Sequence, residues 1–343
     1  MTPDSWAGVV RAFDDASLYQ TWAYGATRWT SAALSHLVVW DASEPVGAAQ
    51  IRLLRCPYLP GGIAYVRWGP LWRRRKECPE AHNLAEVLRA LREEYVQRRG
   101  FLLRLLPRVF HGEGDVPVQK VFADEHFVRR ANRSPYATFV LDLAPPLDEL
   151  SKKLDKHWRK HLRQAEDAQI NVAEGTGDEL FSSLDNLYQE LRGRKHFAAF
   201  VKPEELRRMQ ALLPDDQKMQ LVVCRFAGLP VSAAVFSALG DTGLCLLAAT
   251  GGEGRRVNSS YLAKWKTVEW MQKHGCRWLD LGGRGGDVTQ SVDKFKAGMS
   301  GLAMEHVGEY EACSNRLSLV MMRVGDLAQA IGQRWMKWRA CRN

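Results

Sequence analysis

Cysteine is sparse and scattered in this chain: seven residues in 343, at positions 56, 78, 224, 245, 276, 313 and 341, with no CxxC pair and no Cys/His cluster at metal-ligand spacing. An odd count without pairing excludes a disulfide framework and points to no metal, so the thiols read as reduced and mostly buried. Long hydrophobic runs are missing too. No apolar stretch reaches the ~18 residues that a spanning helix needs. The opening MTPDSWAGVV lacks a basic region followed by an apolar core, so no secretory signal is expected and the cytoplasm is the expected compartment. Acidic residues are the minority charge, 39 against 48 basic, which leaves a net +9. That excess favours an anionic partner, whether nucleic acid, a nucleotide- or lipid-linked precursor, or a membrane surface. The hydrophobic share of 46% excludes wholesale disorder, and the length suffices for two separate cores.

What is present centres on residues 275–301, GCRWLDLGGRGGDVTQSVDKFKAGMSG. Cys276–Leu281 reads as a short strand, with Trp278 and Asp280 on one face and Leu279 and Leu281 on the other. Gly282, Gly283, Gly285 and Gly286 follow, where backbone amides can approach a ligand with no Cβ in the way. Phe295 is then expected to anchor a segment from which Lys294 or Lys296 points its ammonium back at those amides, a setting suited to developing negative charge. A glycine-rich turn with exposed lysines is the plain alternative.

One order of elements occurs twice. Strand Leu37–Trp40, a turn at Asp41–Pro45 and strand VGAAQIRLL form a hairpin; AYVRWGPLW is a third strand stopped by Gly69-Pro70. A helix is expected from Asn83, with Glu86 as capping-box partner and Leu84, Val87, Leu88, Leu91 and Tyr95 on its buried face. It ends at Gly100, and FLLRLL follows as a strand. The second copy has a hairpin around PVSAA, strand GLCLLAAT, a helix from Asn258 to Gly275 with Tyr261, Leu262, Trp265, Val268 and Met271 on one face, then CRWLDL. The offset is 175 for both Asn83/Asn258 and Gly100/Gly275, and 185 for the PVGAA/PVSAA motifs. This indicates an internal duplication of one α/β module.

Helices lie between the copies. Residues 147–166 carry an apolar stripe of Leu147, Leu150, Leu154, Trp158 and Leu162 beside Lys152, Lys153, Lys156, Arg159, Lys160 and Arg163. Along this helix, Lys152, Lys156 and Lys160 repel one another at i,i+4 spacing by a few tenths of a kcal/mol per pair, which favours a phosphate-bearing partner along them. A second helix is expected at about 178–192, then the basic turn RGRKHF, then a helix opening at Lys202-Pro203. The tail from 313 reads as an amphipathic helix that packs across the first module; lying on an anionic membrane is the other reading.

The assembled segments resemble the Fem-type (FemABX) aminoacyltransferases. TFVLDLAPPLDELSKKLDKHWRKHLRQAEDAQINV at 138–172 resembles the segment opening their second domain. YVRWGP at 65–70 resembles their Y-x-x-x-GP strand end, and YQTWAYGATRW their N-terminal entry. NSSYLAKWKTVEWMQKHGCRWLDLGG with FKAGMSG resembles their last helix, D-x-GG strand end and FK element.

The resemblance, over roughly residues 18–312, implies an α/β fold of two GNAT-like domains, of the shorter type without a coiled-coil arm. The domains would be 1–143 and 144–312, with 313–343 packing back on the first. It implies transfer of an amino acid from aminoacyl-tRNA to an amine of a peptidoglycan precursor. No metal, no resident cofactor and no stable protein partner are expected. The alternative is an acyl-CoA-dependent N-acyltransferase in surface-polysaccharide or small-molecule synthesis, with acetyl-CoA as donor. GGEGRRVNSS has the location of a GNAT coenzyme A loop but not its spacing. A basic protein that binds RNA or membrane without catalysis is a third reading.

By resemblance, Lys296 stabilises the oxyanion, with Lys294 as fallback. Asp280 is a candidate base, with turn-capping as its other role. Arg28, Arg192, Arg194 and Lys195 are candidates for precursor phosphates, with Tyr261 and Phe295 as walls. Lys152, Lys156, Arg159, Lys160 and Arg163 would lie along tRNA phosphates. Leu246 and Leu247 stand where the family often has tyrosine.

Overall fold

Two mixed sheets organise the chain, and each recruits a strand from the opposite half. A computed structural model describes residues 1–55, 61–112, 116–130, 135–194, 202–284 and 290–314. The expected tail helix, Lys195, Gly285 and Gly286 lie outside them. The first half opens with helices α1 (Pro3–Arg11) and α2 (Trp22–Arg28), followed by strands β1 (Leu34–Asp41), β2 (Glu44–Arg55) and β3 (Gly62–Arg67) in antiparallel order. Helix α3 (Ala81–Leu91) crosses over, so β4 (Phe101–Leu106) runs parallel to β3. Leu84, Val87, Leu88 and Leu91 pack under the sheet at the expected helical spacing. Helix α4 (Val118–Asp124), β5 (Val128–Arg129) and β6 (Ala137–Asp142) complete this half.

The second half begins with α5 (Leu147–Lys153), α6 (Lys156–Asp167), β7 (Asn171–Gly175), α7 (Asp178–Arg194) and α8 (Pro203–Leu212). Strands β8 (Gln220–Phe226), β9 (Leu229–Leu239) and β10 (Thr242–Thr250) then repeat the antiparallel meander. After the short α9 (Gly252–Arg256), helix α10 (Ser259–Lys273) crosses over to β11 (Trp278–Gly283), parallel to β10. Helix α11 (Gln290–Ala297), β12 (Leu302–Glu305) and β13 (Tyr310–Ala312) follow.

The sheet orders β1-β2-β3-β4-β13-β5 and β12-β6-β11-β10-β9-β8-β7 make the duplication explicit. Reversing the second gives β8-β9-β10-β11-β6-β12 with β7 added at its edge, element for element the order of the first. They also show an exchange. Strand β6 from the first half pairs with β11, and β13 from the second half pairs with β4. The expected boundaries at 143/144 and 312/313 therefore meet a sheet order in which β6 sits with the second sheet and β13 with the first. Where the exchanged segments pass, the His306 N–H donates to the Tyr136 carbonyl at 2.9 Å.

Three local expectations need correction. Helix α3 starts at Ala81 without a capping box: Glu80 makes no side-chain cap bond, and Asn83 is buried one turn in. The strand expected at Cys276–Leu281 runs two residues later. Most consequential, 147–166 is two helices. Leu154 is extended, Asp155 N-caps α6 by accepting from the Trp158 N–H at 2.6 Å, and its own N–H donates to the Gly298 carbonyl at 2.9 Å. Of the three-lysine ladder, only Lys156 and Lys160 share a helix, while Lys152 pairs with Asp148 at 3.1 Å. Gly100 and Gly275, the matched helix stops, both have positive φ, 68° and 77°. No helix among the described residues is long and apolar enough to cross a membrane.

Candidate active site

Strands β10 and β11 pair only from Thr242–Trp278 to Leu244–Asp280, after which β10 shifts register between Cys245 and Leu247 and the two strands part. Polar groups collect where they separate. Gly282 has φ +85°, a conformation strained for any residue with a side chain. Its N–H donates to Asp280 Oδ1 at 2.8 Å, and its carbonyl accepts from Lys296 Nζ at 2.8 Å. Lys296 also donates to the Gly283 carbonyl at 2.6 Å. The expectation that this ammonium faces amides is thus reversed: a cation has only protons to offer and takes the carbonyls, while the amide goes to the carboxylate. Lys294 is exposed; Lys296 points inward.

Asp280 is 1% exposed. Thr138 Oγ1, from the exchanged strand β6, lies 2.5 Å from Asp280 Oδ1 and 2.9 Å from the Gly282 carbonyl. Asp280 Oδ2 has no hydrogen-bond partner among the described residues. Burial raises the Asp280 pKa, against the opposing pull of the Thr138 and Gly282 bonds and of Arg108 and Lys296. Burial also lowers the Lys296 pKa, helped by the charge of Lys264, whose Nζ lies 2.9 Å from Cys245 Sγ. A carboxyl biased towards its neutral form and an amine biased the same way share one corner, a pattern of perturbation common where side chains handle protons.

Tyr19, Trp68 and Tyr136 of the first half and His306 of the second form an aromatic wall. Tyr136, Trp68 and His306 meet edge to face at 5.0–5.5 Å, Tyr19 lies 4.8 Å from Trp68, and the Arg67 guanidinium sits 4.7 Å over Tyr19. Asp280 is within electrostatic reach of both Tyr19 and Tyr136. With burial as the main cause, the Tyr19 pKa is pushed up to about 12 and that of Tyr136 is raised as well. His306 is fully buried with neither ring nitrogen partnered among the described residues, and burial lowers its pKa to about 3, so it is neutral at ordinary pH.

The remaining candidates divide. Phe295 and Tyr261 form an aromatic trio with Trp158 at 4.9–5.6 Å, and Trp158 Nε1 donates to the Phe295 carbonyl at 3.1 Å. They anchor α11, and through it Lys296, rather than lining a wall. Arg194 donates one N–H to the Thr250 carbonyl at 3.1 Å, while its buried Nε and Nη1 have no partner among the described residues. Five residues of strand separate Thr250 from Cys245, about 17 Å. Arg192 is exposed nearby on α7. Arg28 instead pairs with Glu205 of α8 at 3.4 Å. Arg159 donates to the Lys152 and Leu154 carbonyls, both at 2.6 Å, closing α5, and so is engaged in structure rather than free for tRNA. Lys156, Lys160 and Arg163 are exposed.

Sequence reading missed Thr138, Tyr136, Cys245, Lys264 and His306. Lys264 alone carried a signal, being a lysine inside the packed run from Tyr261 to Met271, where it is 9% exposed.

Residues 152–296 match the family model of the acetyltransferase (GNAT) domain, a match that ends on Lys296. This part of the chain is a GNAT domain. Carrying it, the chain is an acyltransferase. The GNAT domain and its duplicate together have the fold of FemX: the crystal structure of FemX superposes with a TM-score of 0.78 at 14% identity, covering 92% of this chain and 97% of that one. The C-terminal domain of a putative lysylphosphatidylglycerol synthetase from Agrobacterium fabrum superposes at 0.56, with 12% identity over 94% and 95% of the two chains. A conserved protein of unknown function from Bacteroides thetaiotaomicron gives 0.56 at 8% identity, over 91% and 97%. No curated protein sequence matches significantly. The parting of β10 from β11, with Lys296 and Asp280 beside it, lies inside the matched residues.

Proposed function

We propose that the chain transfers an aminoacyl group from aminoacyl-tRNA to an amine of a peptidoglycan-type precursor, working in the cytoplasm. The observation that carries this reading is Lys296, held inward on two glycine carbonyls beside Asp280 where β10 and β11 part. An amine attacking an ester needs a proton acceptor and a cation for the tetrahedral oxyanion. Lys296 supplies the cation, and Oδ2 of Asp280 accepts the proton. Arg194 and Arg192 bind precursor phosphates at the far end of β10, and Lys156, Lys160 and Arg163 meet tRNA phosphates. The fold shared with FemX supports an aminoacyl donor.

The acyl-CoA reading draws on the GNAT match itself. Against it, the Gly252 N–H at the start of α9, where a coenzyme A pyrophosphate would dock, already donates to Glu190 Oε1 at 2.7 Å. A carboxylate seated there repels an anionic cofactor. Incubating the protein with a panel of charged tRNAs, and separately with acetyl-CoA, in the presence of a precursor amine tests the two donors. Amide product with any charged tRNA and none with acetyl-CoA is expected; the reverse result selects the CoA reading, and salt-sensitive RNA binding without product with either donor sinks both.

A further inference from the structure

Away from that corner, α6 carries two histidines one turn apart. His157 is exposed and His161 half-buried, and their Nε2 atoms lie 2.9 Å apart. The Asn258 side-chain amide donates to Gln164 Oε1 at 3.2 Å, which sets that oxygen as an acceptor; His161 Nδ1 lies 3.2 Å from it and so donates. A neutral imidazole with its proton on Nδ1 presents a lone pair at Nε2. The His161 ring is further held against Tyr261, centroid to centroid 4.8 Å. One imidazole is therefore oriented by its neighbours with its open nitrogen aimed at the other.

We propose that His157 and His161 form a two-histidine site for a divalent transition metal of the copper(II) or nickel(II) kind. With metal–nitrogen bonds of roughly 2.0–2.1 Å, two nitrogens 2.9 Å apart subtend about 90° at the metal. That is the cis angle of a square-planar or octahedral ion, while a tetrahedral zinc angle needs the nitrogens roughly 3.4 Å apart. In the metal-free chain His157 donates its Nε2 proton to the His161 lone pair; the metal takes the place of that proton, which leaves to solvent. Gln164 does for His161 what outer-shell acceptors do for metal-bound imidazoles generally, fixing the tautomer. No third ligand joins them, since among the described residues no group of three or more His, Cys, Asp or Glu side chains is placed to hold a metal. Water completes the coordination, and the open positions face solvent beside the exposed Lys156 and Lys160. The site does not depend on acyl transfer.

Copper(II) titrated into the full chain, followed by electron paramagnetic resonance and calorimetry, tests this. The expected result is one equivalent with splitting from two imidazole nitrogens. His157→Gln and His161→Gln should each weaken binding by about tenfold or more, and Gln164→Ala by about tenfold. Nickel(II) should raise the melting temperature of the parent chain and not of the double variant. Undiminished copper affinity in the double variant, or a spectrum without the nitrogen pair, overturns the assignment.

Discussion

Lys296 and Asp280 hold the same residue through its two backbone polar groups: the ammonium donates to the Gly282 carbonyl and the carboxylate accepts from the Gly282 N–H, each at 2.8 Å. The contact fixes their separation without pairing them directly. Each group is left biased towards neutrality by burial, with Lys264 adding to the effect on Lys296. A directly bonded ion pair would have held both groups charged.

The roles proposed for these two residues dictate a pH profile. Asp280 accepts a proton only when ionised, so activity falls as pH drops through its raised pKa, above the ordinary aspartate range. Lys296 stabilises an oxyanion only when protonated, so activity also falls as pH rises through its lowered pKa, below the ordinary lysine value of 10.5. The rate profile should be a bell with both limbs drawn inward. Asp280→Asn should remove the acidic limb along with most of the rate, while Lys296→Arg should move the alkaline limb upward.

Trp158 is 2% exposed and ties α6 to α11 through Phe295. Trp158→Ala should cost about 3–5 kcal/mol of stability, read from denaturant midpoints. Trp158→Phe keeps most of the packing but loses the N–H bond to the Phe295 carbonyl. It should stay folded while lowering turnover, because the helix that carries Lys296 is less firmly seated.

His306 is buried neutral, with its folded pKa near 3 against 6.5 in the unfolded chain. Between those values the unfolded state binds more protons, so this residue's contribution to stability is intact above about pH 6.5. It is lost on the way down to 3, at up to about 1.4 kcal/mol per pH unit. His306→Phe should flatten that part of the acid-unfolding curve and leave stability at pH 8 comparatively unchanged. Identical acid curves for parent and variant contradict this account of His306.

The duplication was readable because it rests on local chemistry: glycine at a positive-φ helix stop, and hairpins around PVGAA and PVSAA. Lys296 and Asp280 were readable because strand, glycines and FK segment are contiguous. The strand exchange was half legible: the resemblance of residues 138–172 to a segment opening a second domain pointed β6 (Ala137–Asp142) towards the second sheet, while composition and periodicity did not, and nothing pointed β13 towards the first. Thr138, Tyr136 and His306 reach the site only through that exchange. The break at Leu154-Asp155 was hidden by an apolar stripe that continues across it, although Asp155 is a favourable N-cap residue whose signal the stripe overrode. Arg28 and Arg159 drew attention as cations, but Glu205 and the α5 carbonyls, which only the folded chain brings near, engage them.

The central claim is that Lys296 acts on the transition state rather than on substrate binding. Single-turnover transfer from a charged tRNA by Lys296→Met, measured alongside precursor affinity, tests it most directly. The account predicts a rate lower by about 10²–10³, with affinity within about twofold of the parent and an unchanged fold by circular dichroism. A variant that transfers at the parent rate, or one whose only defect is weakened precursor binding, contradicts it.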